Sequence, residues 1–293
     1  MTKPHSIDAA VDRLTPRLFG IAYRMVGCHG LAEDVVQDTF VKLSQQEPLP
    51  DNIEAWCVRV ATRRAIDVLR QEKIRRDNYR GPWLPDPLIE ADIEDPAPTP
   101  DQVLSLAESV STALLLVLEQ LNPAERAAFL LHDVFDYSYG EIAEVLDRQE
   151  AACRQLVSRA RKAVQAGRPK FEVPAQEHAD VAAAFMAAVM SGDVKQVEAV
   201  LSPSAVLLSD GGGKVRAALR PMHGVDEISN ILVHLAKGEL ASAQIVPMEI
   251  NGLPGLIIRD QTQVHSATTF AIADGAVQGI YIVRNPDKLK HLA

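Results

Sequence analysis

Cysteine is scarce in this sequence, and long apolar runs are missing from it. Of its 293 residues only Cys28, Cys57 and Cys153 are cysteines, and none lies near another, which argues against a disulfide framework or a zinc ligand set. No apolar segment approaches the roughly 20 residues that span a bilayer, and the first residues lack the apolar stretch of a signal peptide. We therefore expect a cytoplasmic protein that does not enter a membrane.

Basic residues are missing from one long segment and concentrated in two others. Residues 81–125 contain no lysine or arginine, and the prolines and carboxylates of residues 81–104 predict an extended, solvated linker. Residues 59–80 carry eight basic and three acidic side chains, and residues 148–170 carry seven basic and one acidic. Because a net charge of -9 argues against a protein that coats nucleic acid indiscriminately, these two basic segments are the candidate DNA-binding surfaces.

Apolar residues recur at helical spacing through the first 80 residues. The stripe of a first helix consists of Ile7, Val11, Leu14, Leu18, Ile21 and Met25. A second helix is predicted over about 31–43 and a third over about 53–76, with Trp56, Val60 and Val68 on its buried face. Trp56 could instead stack on a base, but its place on the apolar stripe favours the core. The three helices predict one all-α domain.

Capping patterns predict a helix-turn-helix in the middle of the chain. After a helix over about 103–121, Asn122-Pro123-Ala124-Glu125 predicts the start of a helix that runs to Phe135. Ser138-Tyr139-Gly140-Glu141 predicts a short helix to Leu146, followed by a turn and a basic helix over about 150–165. This order is typical of a DNA-binding helix-turn-helix.

The exposed face of that basic helix carries side chains suited to duplex DNA. Arginine, glutamine and serine can bond to base edges in the major groove, and further basic groups suit phosphates. The candidates for base edges are Arg154, Gln155, Ser158 and Arg159, and those for phosphates are Arg161, Lys162 and Arg168. The alternative is a solvated basic helix in some other bundle. Capping boxes, turn and charge together favour DNA recognition.

The third helix is a weaker candidate on its residues alone, because a basic helix face is often only solvated. Beside a proline-containing loop, however, an arginine-lined helix could hold melted single-stranded DNA through its phosphates. The arginines concerned are Arg59, Arg63, Arg64, Arg70, Arg75 and Arg76.

After Pro174 the pattern becomes that of a compact α+β domain. Helices are predicted over about 176–190, 193–201 and 225–237, and strands over 205–209, 241–250, 256–263 and 268–283. Asn251-Gly252 and Asp274-Gly275 are hairpin-turn sequences.

This domain shows no catalytic or metal-binding pattern. His178, His223, His234 and His265 are scattered without HxxxH or HExxH spacing, and the glycine-rich segment 210–215 lacks the spacing and hydroxyl of a phosphate-binding loop. We predict no metal, no cofactor and no enzymatic activity. Two rival classes stay open: a conventional dimeric transcription regulator, and a small-molecule enzyme with a DNA-binding appendage.

Three segments in combination resemble the bacterial extracytoplasmic-function sigma factors. LAEDVVQDTFVKL at 31–43 resembles the polymerase-binding helix of region two, and AWCVRVATRRAIDVLR at 55–70 resembles the helix that reads the minus-10 element. YGEIAEVL at 139–146, followed by RQLVSRAR at 154–161, resembles region four, which reads the minus-35 element. The resemblance implies core RNA polymerase and promoter DNA as partners. The polymerase contacts would be Asp34, Gln37 and Asp38, which by themselves are an ordinary polar helix face.

Further motifs resemble the SigJ-like subgroup, whose members carry a SnoaL-like C-terminal extension. They are Trp83-Leu84-Pro85-Asp86-Pro87-Leu88, Asp210-Gly211-Gly212-Gly213-Lys214 and Asn285-Pro286-Asp287-Lys288-Leu289. The resemblance implies a cone of sheet and helices around a pocket, which takes over the control that a separate anti-sigma factor exerts elsewhere. We expect the first two motifs to meet between domains. Alternatively, the glycines form only a β-turn, and residues 285–289 either dock on the sigma domains or merely end the last strand.

A few positions depart from the family pattern. Asp147 stands where the recognition turn commonly has glycine, Gln149 where a serine cap is common, Arg63 where asparagine is frequent, and Asp86 where glutamate is usual. Asp147 can adopt the left-handed conformation at modest cost, so the turn is expected to form. These departures bear on promoter choice and leave the fold prediction unchanged.

The expected protein is multidomain, with two all-α sigma domains and a C-terminal α+β SnoaL-like cone. The predicted boundaries are 1–80 for region two, 81–104 for the linker, 105–170 for region four and 175–293 for the regulatory domain. We expect a monomer when it is free of polymerase. A small ligand in the C-terminal pocket, and the direction of the regulation, stay open.

Overall fold

The computed structural model describes residues 4–89, 110–167, 173–238 and 243–292. These residues divide into two compact units. The first contains residues 4–77 and 117–167, and the second contains residues 78–89, 110–116, 173–238 and 243–292. Within the described ranges, no helix combines the length and the apolar character needed to cross a membrane.

The first unit begins with the three predicted helices, α1 (Pro4–Val26), α2 (His29–Ser44) and α3 (Ile53–Asp77). Gly27 follows α1 at a φ of 66°, a conformation that glycine adopts without strain. The Asn52 side chain accepts a 3.0 Å hydrogen bond from the Ala55 amide and caps the start of α3. Four of the six residues of the predicted α1 stripe are buried, with Leu18 and Met25 fully inaccessible to solvent, whereas Ile7 and Val11 are half-buried.

The buried face of α3 differs in part from its prediction. Val68 is buried as expected, but Trp56 and Val60 are only half-buried. Smaller side chains form most of the contact surface, namely Cys57, Val58, Ala61, Thr62, Ala65 and Ile66. The apolar spacing identified the helix correctly. It did not show that the face packed against α1 and α2 is centred one position after Trp56 and Val60, on Cys57 and Ala61.

The second half of this unit contains the helix-turn-helix. Helix α4 (Thr112–Leu118) lies largely in the second unit. The first unit continues with α5 (Pro123–Phe129), a π-helical turn (Leu130–Val134), α6 (Tyr139–Leu146) and α7 (Glu150–Gly167). Both predicted capping boxes are formed, Asn122 with Glu125 and Ser138 with Glu141. Asp147 has a φ of 53°, as the turn requires. The single helix predicted up to Phe135 is wrong in one respect, because residues 130–134 are π-helical. The start of the helix predicted over 103–121 lies outside the described residues.

The second unit is built around a mixed six-stranded sheet. Its helices are α8 (Ala175–Ser191), α9 (Val194–Val200) and α10 (Val225–Lys237), and a short α11 (Pro286–Leu289) follows the sheet. The strands are β1 (Leu201–Asp210), β2 (Met222–His223), β3 (Gln244–Ile250), β4 (Leu253–Arg259), β5 (Val264–Ala273) and β6 (Ala276–Val283). Their order is β2-β1-β6-β5-β4-β3, and only the β1–β6 pair is parallel.

Several strand predictions need correction, among them 256–263, where the strand spans residues 253–259. The segment 268–283 is two strands joined at Asp274-Gly275, β1 begins at Leu201 where a helix end was expected, and β2 was not predicted. Residues 241–242 of the predicted third strand lie outside the described residues. The hairpin turns are confirmed, since Asn251, Gly252, Asp274 and Gly275 all have positive φ.

The two faces of this sheet pack against different segments, because successive side chains of a strand point to opposite sides. On the inner face, Leu207, Leu256 and Ile280 pack with residues of α8 and α10. On the outer face, Ile257 and Val283 pack in a second cluster, which also contains Leu84 and Leu289. The segment that follows α3 therefore covers the outer face.

Candidate DNA, polymerase and regulatory sites

The recognition helix α7 separates apolar and polar faces as the sequence predicts. Cys153, Leu156, Val157 and Ala160 are buried against the rest of the helix-turn-helix. Six predicted DNA contacts are exposed, namely Arg154, Gln155, Ser158, Arg159, Arg161 and Lys162, and the seventh, Arg168, lies outside the described residues. The turn at Asp147 sets the direction of this helix, so a single left-handed residue positions the whole polar face.

The arginines of α7 have partners within the first unit. Arg154 pairs with Glu150, and its guanidinium lies 4.5 Å from the centre of the Tyr139 ring. Arg161 donates a 2.8 Å hydrogen bond to Asp133, and this bond raises the pKa of Arg161 above its usual range. Exposed ion pairs contribute at most about 1 kcal/mol, so a phosphate or a base edge can replace these partners at little cost.

The predicted minus-10 arginines of α3 have different environments. Arg70 and Arg75 are exposed and pair along the helix with Asp67 at 3.0 Å and Glu72 at 2.8 Å. Arg59 is half-buried. Arg63 donates hydrogen bonds to two carbonyls at the end of α6, a 2.7 Å bond to Val145 and a 3.3 Å bond to Glu144. In this structure Arg63 therefore joins region two to region four.

Arg76 occupies a position unlike those of the other arginines in this set. Its side chain is 15% exposed and pairs with Glu119, which also accepts a 2.9 Å hydrogen bond from the buried Arg126. Burial by itself raises the pKa of Glu119, but the attraction of Arg126 and Arg76 outweighs it, so the pKa lies below its ordinary value. Arg76 is thus part of a buried ion network.

The predicted polymerase contacts lie on one face of α2. Asp34 and Gln37 are exposed, whereas the carboxylate of the half-buried Asp38 accepts a 2.7 Å hydrogen bond from Arg64. Val41, one turn further on, is 56% exposed although it is apolar. Exposed carboxylates around an exposed apolar side chain are typical of a protein interface with a basic partner.

In the second unit, the three motif segments meet around the buried carboxylate of Asp210. This side chain accepts a 2.9 Å hydrogen bond from the Leu84 amide, a 2.6 Å bond from the Tyr79 hydroxyl and a 3.0 Å bond from the Gly212 amide. The Asn285 side chain donates a 2.8 Å hydrogen bond to the same tyrosine hydroxyl. Burial, followed by the bond to Asp210, raises the pKa of Tyr79 well above its usual range.

Lys288 completes this cluster. Its ammonium lies 3.0 Å from the Asp210 carboxylate and 3.8 Å from that of Asp86, and it also donates a hydrogen bond to the Leu84 carbonyl. The same nitrogen lies 4.2 Å from the centre of the Trp83 ring, within cation–π distance. We call the cluster of Tyr79, Trp83, Leu84, Asp210, Asn285 and Lys288 the motif junction.

Close packing at the junction explains the glycines of the second motif. A Cβ on Gly212 would lie 2.6 Å from Cγ of Asn285, and one on Gly211 would lie 2.6 Å from the carbonyl oxygen of Val215. Gly212 and Gly213 also have positive φ. The contact expected between the first two motifs is therefore present within the second unit, and the glycines form a turn as well.

The third motif docks onto the segment that follows α3, and does not merely end the last strand. Leu289 is buried beside Leu84 on the outer face, and His291 lies with Nε2 2.6 Å from the Pro87 carbonyl. Further along, Leu88 and Asn251 exchange hydrogen bonds, the backbone one measuring 2.8 Å. Tyr79 and His291 were not identified from the sequence, because single residues outside a motif give no signal, and Asn251 was identified only as a turn residue.

The histidines of this domain have separate environments. His178 is buried with Nε2 3.3 Å from the Phe270 carbonyl, and burial lowers its pKa. His265 pairs with Asp260 at 2.7 Å on the surface. Across the described residues, no three histidine, cysteine or acidic side chains are grouped so that they could hold a metal ion.

Comparison with known proteins agrees with the helix-turn-helix and the three-helix domain. The family model described as Sigma-70 region 2 matches residues 10–74, and Sigma-70, region 4 matches residues 111–164. The chain is 34% identical to the ECF RNA polymerase sigma factor SigJ of Mycobacterium tuberculosis (strain ATCC 25618 / H37Rv), over 94% of this chain and 91% of that protein. The chain belongs to the ECF RNA polymerase sigma factors.

This ECF sigma factor resembles its relatives over its whole length. It is 28% identical to the probable ECF RNA polymerase sigma factor SigI of Mycobacterium tuberculosis (strain CDC 1551 / Oshkosh), over 100% of this chain and 98% of that protein. The crystal structure of Mycobacterium tuberculosis SigJ superimposes with a TM-score of 0.75 at 30% identity, covering 96% of this chain and 98% of that one. The similarity therefore includes the α+β domain, which is consistent with the predicted SnoaL-like fold.

Family membership decides between the classes left open by the sequence. ECF sigma factors bind core RNA polymerase and promoter DNA, and they are transcription factors, not enzymes. The prediction of a sigma factor is confirmed, and the alternatives of a conventional dimeric regulator and of an enzyme with a DNA-binding appendage are set aside.

Proposed function

We propose that this sigma factor is regulated in cis by its C-terminal domain, in place of a separate anti-sigma factor. The observation that carries the proposal is the position of Lys288, whose ammonium bridges the Asp210 carboxylate of the C-terminal domain and the Leu84 carbonyl of the segment after α3. Because that segment follows the predicted minus-10 helix directly, a domain that holds it constrains the chain between regions two and four.

We assign the DNA and polymerase contacts of the family to the exposed polar faces described above. The exposed side chains of α7 would read the minus-35 element, and Arg59, Arg63, Arg64, Arg70 and Arg75 of α3 would contact the minus-10 element. Arg63 would first release the carbonyls of Val145 and Glu144, since its guanidinium is engaged there. Arg76 would act on DNA only indirectly, by keeping α3 in place through Glu119.

The face of α2 that carries Asp34, Gln37 and the exposed Val41 would bind core polymerase. Such a factor acts where polymerase acts, in the cytoplasm, and we expect it to be monomeric until it binds. Its exposed acidic side chains favour a basic surface on the partner, because opposite charges raise the rate of association.

The test of regulation in cis is promoter-specific transcription by the full chain with purified core polymerase. We expect Lys288→Met to change transcript yield severalfold, because it leaves the buried Asp210 without its counter-charge and weakens the junction. The matched control is Lys290→Met, on the same short segment but 74% exposed. Equal yields from both variants and the unmodified chain would contradict the proposal.

A second pair of variants distinguishes an effect of the junction on transcription from an effect of lower overall stability. Gly212→Ala places a methyl group against Asn285, whereas Gly275→Ala has a similar positive φ of 69° with nothing within 4 Å. Both substitutions have the strain of a left-handed alanine, which is about 1 kcal/mol. Only the first also disturbs the junction, so only the first should alter transcription.

A further inference from the structure

A cavity of about 490 Å³ lies on the inner face of the C-terminal sheet. This volume is in the range of roughly 300–1,000 Å³ that is typical of small-molecule sites. Its walls are mostly apolar and include Phe185, Met222, Leu232, Leu256 and Ile280. An apolar cavity of this size exceeds what side-chain packing leaves in an ordinary core, where voids larger than a water molecule are few.

The ionisable side chains that line this cavity are all basic. Arg216, His234 and Arg284 belong to the lining, and none of its described residues is acidic. Arg216 and His234 are exposed, whereas Leu207 and Ile280 are buried. Arg216 and His234 therefore lie toward solvent, Arg284 is half-buried, and the apolar walls lie deeper.

We propose that this cavity binds a small organic anion with an apolar body, such as an alkyl or aryl carboxylate. The apolar body would leave water for the walls between the sheet and α10, and the carboxylate would meet the guanidinium groups of Arg216 and Arg284. Arginine suits this role because its planar donors can bond to both oxygens of a carboxylate. A cationic head group in the same place would be repelled.

The cavity and the motif junction meet where β1 and β6 end. Ser209 lines the cavity and the next residue, Asp210, is the centre of the junction. Arg284 also lines the cavity, its amide donates a 2.7 Å hydrogen bond to the Asp210 carbonyl, and the next residue is Asn285 of the junction. An anion held by Arg284 would thus act directly beside the junction. This regulatory consequence rests on the proposed function, but the binding itself does not.

Titration calorimetry on the full chain tests the binding with three probes of equal chain length: decanoate, decanol and decylamine, each used below its aggregation concentration. We expect decanoate to bind about tenfold more tightly than decanol, as one charge-assisted pair of hydrogen bonds would give, and decylamine to bind most weakly. Arg216→Gln and Arg284→Gln should each remove most of the advantage of decanoate. The matched control is Arg220→Gln, which changes an exposed arginine that pairs with Glu227 outside the cavity.

A variant that fills the cavity locates the binding. Met186 lines the cavity and is only half-buried, so Met186→Trp should occupy the space with little loss of core packing and should abolish decanoate binding. The proposal is overturned if decanoate does not bind, if decanol binds as tightly, or if Met186→Trp leaves binding intact. Because no polymerase is involved, any of these results would leave regulation through the junction standing, to be judged by transcription alone.

Discussion

The environment of a charged residue decides whether its charge stabilises the fold. The cluster of Arg76, Glu119 and Arg126 is an example. Arg126 is 3% exposed and Glu119 is 22% exposed, so their attraction is weakly screened. Arg75, next to Arg76, is 78% exposed and pairs with Glu72, a neighbour on its own helix. Adjacent arginines in one basic segment therefore have different roles, one in the fold of the first unit and one on its surface.

Glu119 should make the stability of the first unit depend on pH. Its pKa is lowered in the folded chain from an ordinary value of 4.5, so its stabilising contribution is fully present above about pH 4.5. The contribution is lost as the pH falls through the folded pKa. We expect Glu119→Gln to lower the free energy of unfolding at pH 7 by about 3–5 kcal/mol, because it leaves two partly buried arginines without their counter-charge.

Urea unfolding at pH 7 and at pH 4 measures this effect. The difference between the unmodified chain and Glu119→Gln should shrink at the lower pH. Glu150→Gln is the control, since Glu150 pairs with Arg154 on the surface and should change stability by less than about 1 kcal/mol. An equal difference at both pH values would show that the Glu119 carboxylate contributes nothing through its charge.

At the scale of elements, α7 carries the clearest relation between sequence and function. Its apolar residues face the core, its six candidate side chains face solvent, and two capping boxes precede it. The polar face can therefore differ between family members while the fold is preserved. Helix α3 is less simple, because its Arg63 is held by carbonyl groups of α6.

Two substitutions in α7 should separate reading of bases from binding of phosphates. With the holoenzyme, we expect Arg154→Ala to cost about 1–3 kcal/mol on a promoter with an intact minus-35 element and little on one without it. Lys162→Gln should weaken binding on both and reduce the slope of log K against log salt by about 0.9. Lys195→Gln, an exposed change in the C-terminal domain, is the control. Identical behaviour of the two α7 variants would refute this division.

At the scale of the whole molecule, residues 78–89 belong to the C-terminal unit although they follow α3 in the chain. Leu84 and Leu88 are at most 1% exposed, which is unusual for a proline-rich connection. Removing the C-terminal domain would therefore expose apolar side chains as well as release the chain between regions two and four.

Fluorescence of Trp83 can follow this docking in solution. The chain has two tryptophans, so Trp56→Phe leaves Trp83 as the only reporter. On this background, we expect Lys288→Met to shift the emission to longer wavelength and to increase quenching by acrylamide, because the ammonium 4.2 Å from the ring is lost and the segment loosens. Lys290→Met should leave the spectrum unchanged. A spectrum that is insensitive to Lys288→Met would mean that the junction does not hold the segment.

Local patterns in the sequence determined much of this protein. The stripe of α1, the two capping boxes and the Asn251-Gly252 and Asp274-Gly275 turns each depend on residues a few positions apart, so they could be predicted without tertiary information. The order of the sigma motifs identified the family for the same reason. Where local rules compete, as at the π-helical turn after α5, the prediction was wrong.

The tertiary structure alone decided which residues meet across long distances in the chain. Tyr79 lies more than a hundred residues before Asp210 in the chain, and Lys288 lies well after it. No local pattern indicates that the Asp210 carboxylate bonds to both Tyr79 and Lys288. The same holds for the cavity, whose apolar walls come from separate helices and strands. A carboxylate or an arginine has the same formal charge anywhere in a sequence, and only burial and neighbours determine whether it stabilises the fold, joins two segments or binds a ligand.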